Sequence, residues 1–202
     1  MAPVLSYITF PASDNFKTEE AQVKSAIEEI TNTDGLISSY HGLQVEQEGG
    51  KFGYLISTWE SPEKLNAFRE KSGDKFNSLI AGLSTGEIQR YEFVAIKNIP
   101  EPALQSKTVE LAIGKPRGAA SIEPLKQVTF EMCDATEAGG HPSAVGESTD
   151  GSGILLFAGG WESVEEHWAF TKSAENIQSL LGGITTHCDL NLTHAKLKQR
   201  GA

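Results

Sequence analysis

Few side chains in this sequence could move a proton near neutral pH. Histidine is the main class, because its imidazole titrates in that range and can give or take a proton. Five are present, at positions 41, 141, 167, 187 and 194. His41 falls in an alternating stretch, Leu36–Val45, on the same face as Ile37, Leu43 and Val45. Apolar neighbours would tune its basicity, so His41 is the candidate catalytic acid or base; the alternative is a core histidine bonded to a backbone carbonyl. Tyr40 points to the opposite face, and Tyr7 on the first strand could place a phenol in a pocket or simply pack. His167 and Trp168 stand together early in a helix that follows Trp161. His187 and His194 are expected on opposite faces of the last strand, with His194 beside Cys188, Leu190 and Leu192. Arg90 could meet an anionic ligand or a surface carboxylate. No spacing suits a Ser-His-Asp nucleophile, a metal site or a phosphate loop.

These residues sit on a repeat. Trp59-Glu60-Ser61 recurs as Trp161-Glu162-Ser163, an offset of 102, and the same offset matches Glu63 with Glu165, Ala67 with Ala169 and Phe68 with Phe170. That makes six identities in positions 59–70, where average composition gives about one. His167 aligns with Leu65, so an imidazole replaces an apolar side chain in the second copy. A glycine turn precedes each Trp, at Glu48-Gly49-Gly50 and at Thr149-Asp150-Gly151. Duplication explains these matches better than chance.

Periodicity then orders each copy as β-α-β-β-α-β. In the first, strand Val4–Phe10 precedes a helix over Thr18–Thr31 with Val23, Ile27 and Ile30 on one stripe. Strands Leu36–Val45 and Phe52–Trp59 follow, then a helix capped by Ser61 with Pro62 at its first position and a break near Gly73, then strand Ile88–Ile96. The second copy repeats this with strand Val109–Ile113, a helix over Ile122–Cys133, strand Ile154–Gly160, a helix from Ser163 to about Leu181 and strand Thr185–Leu197. Ala138–Glu147, with Gly139, Gly140 and Pro142, reads as a loop or broken edge strand. The predicted organisation is a unit over 1–97, a linker over 98–107 and a unit over 108–202. The fold class is α+β: two tandem ferredoxin-like units with antiparallel sheets packed as an intramolecular dimeric α+β barrel. The intact strand at Leu36–Val45 predicts the better pocket in the first copy, with His41 near its wall.

Composition excludes some partners. Net charge is −10, with nine Lys/Arg against fourteen Asp/Glu in residues 1–100 and eight against thirteen in 101–202. Neither half carries the basic clustering that nucleic acid or anionic membranes require. No apolar run approaches a bilayer span, and the N-terminus lacks a signal pattern, so the expected location is cytoplasmic. Cys133 and Cys188 are expected to be reduced and buried.

The Trp-Glu-Ser motif after an apolar strand, in a unit of about 100 residues, resembles the antibiotic-biosynthesis-monooxygenase-type members of the dimeric α+β barrel superfamily. The resemblance implies a small-molecule pocket lined in part by Trp59 or Trp161. It also implies chemistry ranging over cofactor-independent quinone formation, isomerisation, cyclisation and haem degradation. Phe68-Arg69 and Phe170-Thr171 occupy the region of the haem-ligating histidine, and Leu55 and Phe157 the place of an asparagine found in some quinone-forming members. The expected function is therefore binding of a small, largely apolar, aromatic metabolite, with cofactor-independent oxidation or proton-transfer isomerisation or cyclisation. A non-catalytic binding or stress-type barrel is the alternative. Tyr7, Tyr40, Trp59, Trp161, His167 and Trp168 are the candidate ligand-binding residues, no cofactor or metal is expected, and a homodimer of the fused chain stays open.

Overall fold

The computed structural model describes residues 3–18, 21–31, 33–173 and 175–200. The chain divides into two compact units, residues 1–92 with 197–202, and residues 93–196.

In the first unit β1 (Val4–Pro11) and β2 (Leu36–Gln44) flank β3 (Phe52–Trp59), all antiparallel. Opposed residues share a face, so Val4 and Trp59, Ser6 and Ser57, and Ile8, Leu55 and His41 line the side packed on helices. Tyr7, Ile56 and Tyr40 lie on the other side. A one-turn helix α1 (Asp14–Lys17) precedes α2 (Ala21–Thr31), so the helix expected from Thr18 starts later; residues 19–20 lie outside the described set. The core joins Val23, Ile27 and Ile30 of α2 to Phe68, Phe76 and Ile80 of α3 (Pro62–Leu83). Ser61 caps α3 by accepting a bond from the Lys64 amide, with Pro62 opening the helix as expected. The helix runs unbroken past Gly73, a buried position in its apolar stripe. Gly49 at φ 101° and Gly50 at φ 57° make the tight turn before β3, a conformation costly to any side chain. β4 (Gln89–Lys97) starts in this unit and ends in the second. The connector carries a short helix, α4 (Glu101–Leu104).

In the second unit β5 (Thr108–Pro116) lies between β7 (Leu155–Trp161) and β8 (Cys188–Gln199). β6 (Ser143–Ser148) pairs with β7 on one side and with the end of β4 on the other. The loop or broken edge strand expected at Ala138–Glu147 is thus corrected in part, since Ser143–Ser148 pairs on both sides. α5 (Ile122–Ala138) runs up to Gly139, Pro142 stays in the turn, and the chain pairs from Ser143 onward because proline lies outside the ladder. The second long helix is described in two stretches, α6 (Val164–Ser173) and α7 (Glu175–His187), on either side of residue 174, which lies outside the described set. The last strand, expected from Thr185, starts at Cys188, and His187 ends α7 instead of lying within that strand. Its core joins Leu125, Met132 and Cys133 of α5 to Phe157, Ile177 and Ile184. Both cysteines are buried and free. No helix among the described residues is long and apolar enough to cross a membrane.

Candidate active site

The helix-facing side of β5 reads Thr108, Glu110, Ala112, Gly114, a carboxylate in an otherwise small or apolar row. Glu110 is 5 % exposed. It stands opposite Gly159 of β7 and His194 of β8. Gly159 provides the space, since a Cβ there would lie 2.9 Å from Glu110 Oε2 and 3.0 Å from Trp161 Nε1. The Trp161 indole donates to Glu110 Oε2 at 3.1 Å. His167, one turn into α6, places Nε2 3.5 Å from the same oxygen. Its Nδ1 is 2.8 Å from His194 Nε2, so one ring donates and the other accepts. His141 packs tilted against Trp161 from the turn before β6, with ring centroids 4.3 Å apart.

Burial sets the protonation of this group. Glu110 is pushed up to about 7, chiefly by desolvation, with the indole bond working the other way. His167 is pushed down to about 3 by desolvation and by the neighbouring His194 and His141. At neutral pH the site therefore holds a neutral His167 beside a carboxyl poised between acid and base. If His167 Nδ1 donates to His194, its Nε2 can accept from protonated Glu110. If His194 donates instead, Nε2–H faces a carboxylate. The two tautomers make the pair a reversible proton store.

The cluster forms one wall of a cavity of about 60 Å³. The rest is apolar, including Leu125, Met132, Phe157, Phe170 and Ile184, with the hydroxyls of Thr136 and Thr171. Trp168 also lines it and is 40 % exposed, which connects the cavity to solvent. Among the described residues no group of His, Cys, Asp and Glu is arranged to hold a metal ion.

Of the candidates read from the sequence, Trp161, His167 and Trp168 meet at this cavity. Trp59 lies at a cavity of about 260 Å³ in the first unit, with Ser6, Ser57 and Leu65. There the Trp59 indole donates to Ser57 Oγ at 2.9 Å and stacks on Phe68. His41 is buried and borders a different cavity of about 250 Å³, against α2 and Arg200. Tyr7 packs against Tyr54 and Tyr91, its phenol pushed up by burial and by those phenols, on the face away from the helices. Tyr40 is buried on that same face, beside Ile56.

Glu110 is the residue the sequence did not single out. The offset of 102 aligns it with Ile8, whereas strand pairing matches it with Ser6, because Ser6 opposes Ser57 and Glu110 opposes Gly159. The available signal was a lone carboxylate between Val109 and Leu111.

No family model matches the sequence, and no curated protein does. Solved structures do match. Two proteins named "putative monooxygenase" align over nearly the whole chain. That of Fusobacterium nucleatum has a TM-score of 0.73 at 8 % identity, covering 99 % of this chain and 94 % of its own. That of Lactobacillus acidophilus has a TM-score of 0.67 at 13 % identity, covering 100 % and 98 %. The chain shares with them an α+β fold of two tandem units with antiparallel sheets. An anthrone oxidase-like protein shares this fold with a TM-score of 0.67 at 12 % identity, over 98 % of this chain and 92 % of that one. At these identities the likeness is one of fold.

Proposed function

We propose that this chain is a cytosolic enzyme that binds a small aromatic metabolite at the cavity of its second unit, which widens beside the exposed Trp168 to seat the ring, and oxidises it with molecular oxygen, using Glu110 as base. The observation that carries the reading is the Glu110 carboxyl, buried against an indole N–H and a histidine pair at the wall of an apolar cavity. A carboxylate near pH 7 in a dry site is a stronger base than one in water, which suits removal of an activated proton from a phenol or an anthrone-type methylene. The resulting anion transfers one electron to oxygen, and the radical pair combines to a hydroperoxide. Loss of water then leaves a carbonyl. One CH₂ and one O₂ become one C=O and one H₂O, so the substrate itself supplies the electrons. The names of two neighbours as monooxygenases and of a third as anthrone oxidase-like support this class.

Anthrone with an oxygen electrode tests it. The expected result is one O₂ consumed per anthraquinone formed, well above autoxidation, with labelled oxygen entering the new carbonyl. A rate equal to that with the Glu110→Gln variant would remove the assignment. A second reading keeps His41 as base for a ligand in its own cavity, favoured by its burial at that wall.

A further inference from the structure

The cavity under Trp59 differs in chemistry from the one under Trp161. Its deep wall is apolar, with Ile8, Leu55, Leu65 and Phe68, and the hydroxyls of Ser6 and Ser57 lie beside the indole. Arg69 of α3 and Arg90 of β4 also line it. At the same offset of 102 they correspond to Thr171 and Leu192, which line the second cavity. The first unit therefore has two guanidiniums where the second has a hydroxyl and an aliphatic chain.

Arg69 donates to Glu92 and is held in place by it. Arg90 makes no ion pair among the described residues. Partial desolvation and the like charge of Arg69 both lower its pKa, so an anion between the two would relieve the repulsion. Asp74 lines the cavity as well and works against a ligand carrying much negative charge. That balance suits a single carboxylate at Arg90 better than a phosphate.

We infer that the cavity of the first unit binds an aromatic monocarboxylate, its ring against Trp59 and the apolar wall and its carboxylate on Arg90. A guanidinium holds a carboxylate through paired N–H donors, and the ring fills volume that a small inorganic anion would leave wet. The inference is independent of the oxidation proposed for the second unit, since it uses none of the same residues.

Sodium benzoate is the probe, followed by calorimetry and tryptophan fluorescence on the full chain, with benzyl alcohol as the uncharged control. Saturable benzoate binding is expected, with benzyl alcohol weaker by about tenfold or more. Arg90→Gln should weaken benzoate by about tenfold or more while melting as the wild type does. Arg90→Lys should recover part of that loss, and Asp74→Asn should tighten binding. Benzoate affinity unchanged in Arg90→Gln would overturn the inference. So would binding that persists there and is lost in Trp161→Phe, or no saturation by about 10 mM, a range in which even weak specific sites fill.

Discussion

At the two tryptophan corners the same side chain does two different things. The Trp59 indole N–H closes on Ser57, two residues back on its own strand, and the contact is finished there. The Trp161 indole N–H closes on a carboxyl from the neighbouring strand, which also faces two imidazoles and a cavity. Two positions make the difference. Ser57 is replaced by Gly159, and Ser6, its strand partner, by Glu110. The first change removes a hydroxyl and opens the space, and the second fills that space with a titratable group. A duplicated strand-to-helix corner can thus hold its aromatic frame in one copy and acquire acid–base chemistry in the other.

Glu110→Gln should have the largest effect. The amide keeps an oxygen for the Trp161 indole and removes the base. Anthrone turnover should fall by about 10²- to 10⁴-fold. In the wild type, kcat/KM should rise with pH through about 7 as Glu110 ionises, and the variant should lose that limb. A variant retaining most of the rate would reduce the Trp161 corner to a buried polar contact like that at Trp59.

The buried groups at the Trp161 corner also make stability depend on pH. Glu110 titrates at about 7 in the folded chain against an ordinary 4.5. The folded state thus holds a proton that the unfolded state has lost between those values, and stability falls as pH rises from 4.5 to 7, by about 3 kcal/mol in all. His167 stays neutral down to about 3 against an ordinary 6.5. Its contribution has the opposite sign, and stability falls as pH drops from 6.5 toward 3. The two slopes offset each other between 4.5 and 6.5. Thermal melts of the wild type should be nearly flat there, whereas Glu110→Gln should expose a melt that climbs with pH from 3 to 6.5. A flat profile in both proteins would contradict the burial argument.

What the sequence disclosed follows from which signals are local. Ser61 as cap, Pro62 as first helical residue and the glycines before β3 are short-range choices, and each appears where the spacing puts it. The repeat was legible because Trp59 and Trp161, with the helix starts after them, keep one offset. Glu110 was hidden because the offset differs on the first strand of each copy, and only pairing with Gly159 shows that it replaces Ser6. The pairing of Ser143–Ser148 was hidden for another reason. Gly139, Gly140 and Pro142 signal a break, and the signal is correct for the turn but silent about the residues beyond it. His194 meets His167 across 27 residues of sequence, a contact no periodicity encodes.

Gly159→Ser rebuilds the Trp59 arrangement on the wrong background. Its Cβ would crowd Glu110 Oε2 and the indole nitrogen, so the single variant should lose about 1–3 kcal/mol in chemical denaturation. Adding Glu110→Ser removes the crowded carboxyl and supplies the Ser6 equivalent, and most of that loss should return. Additive losses in the double variant would mean that the two corners are not interchangeable in this way.

Trp161→Phe asks how much the indole N–H contributes. That bond favours the charged carboxylate, so its removal should push Glu110 further up and move the kcat/KM limb to higher pH. Turnover at neutral pH should fall by about tenfold, in line with one hydrogen bond to a charged group. A limb that does not move would assign the carboxyl's behaviour to burial alone.

The smallest effect is expected from His41→Ala, and it tests the division of labour between the copies. His41 lies on the helix-facing side of β2, opposite Leu55, and borders the cavity beside α2 and not the one at Trp161. Truncating a ring that already borders a cavity enlarges that space without stripping packing from every side. The stability loss should therefore sit near the low end for a buried aromatic-sized group, about 1–2 kcal/mol. If Glu110 is the base, anthrone turnover should stay within about threefold of the wild type. A loss of about a hundredfold with an unchanged melt is the magnitude expected of a missing general base. That outcome would move the chemistry to the first unit and leave Glu110 as a buried acid whose work is confined to its neighbours.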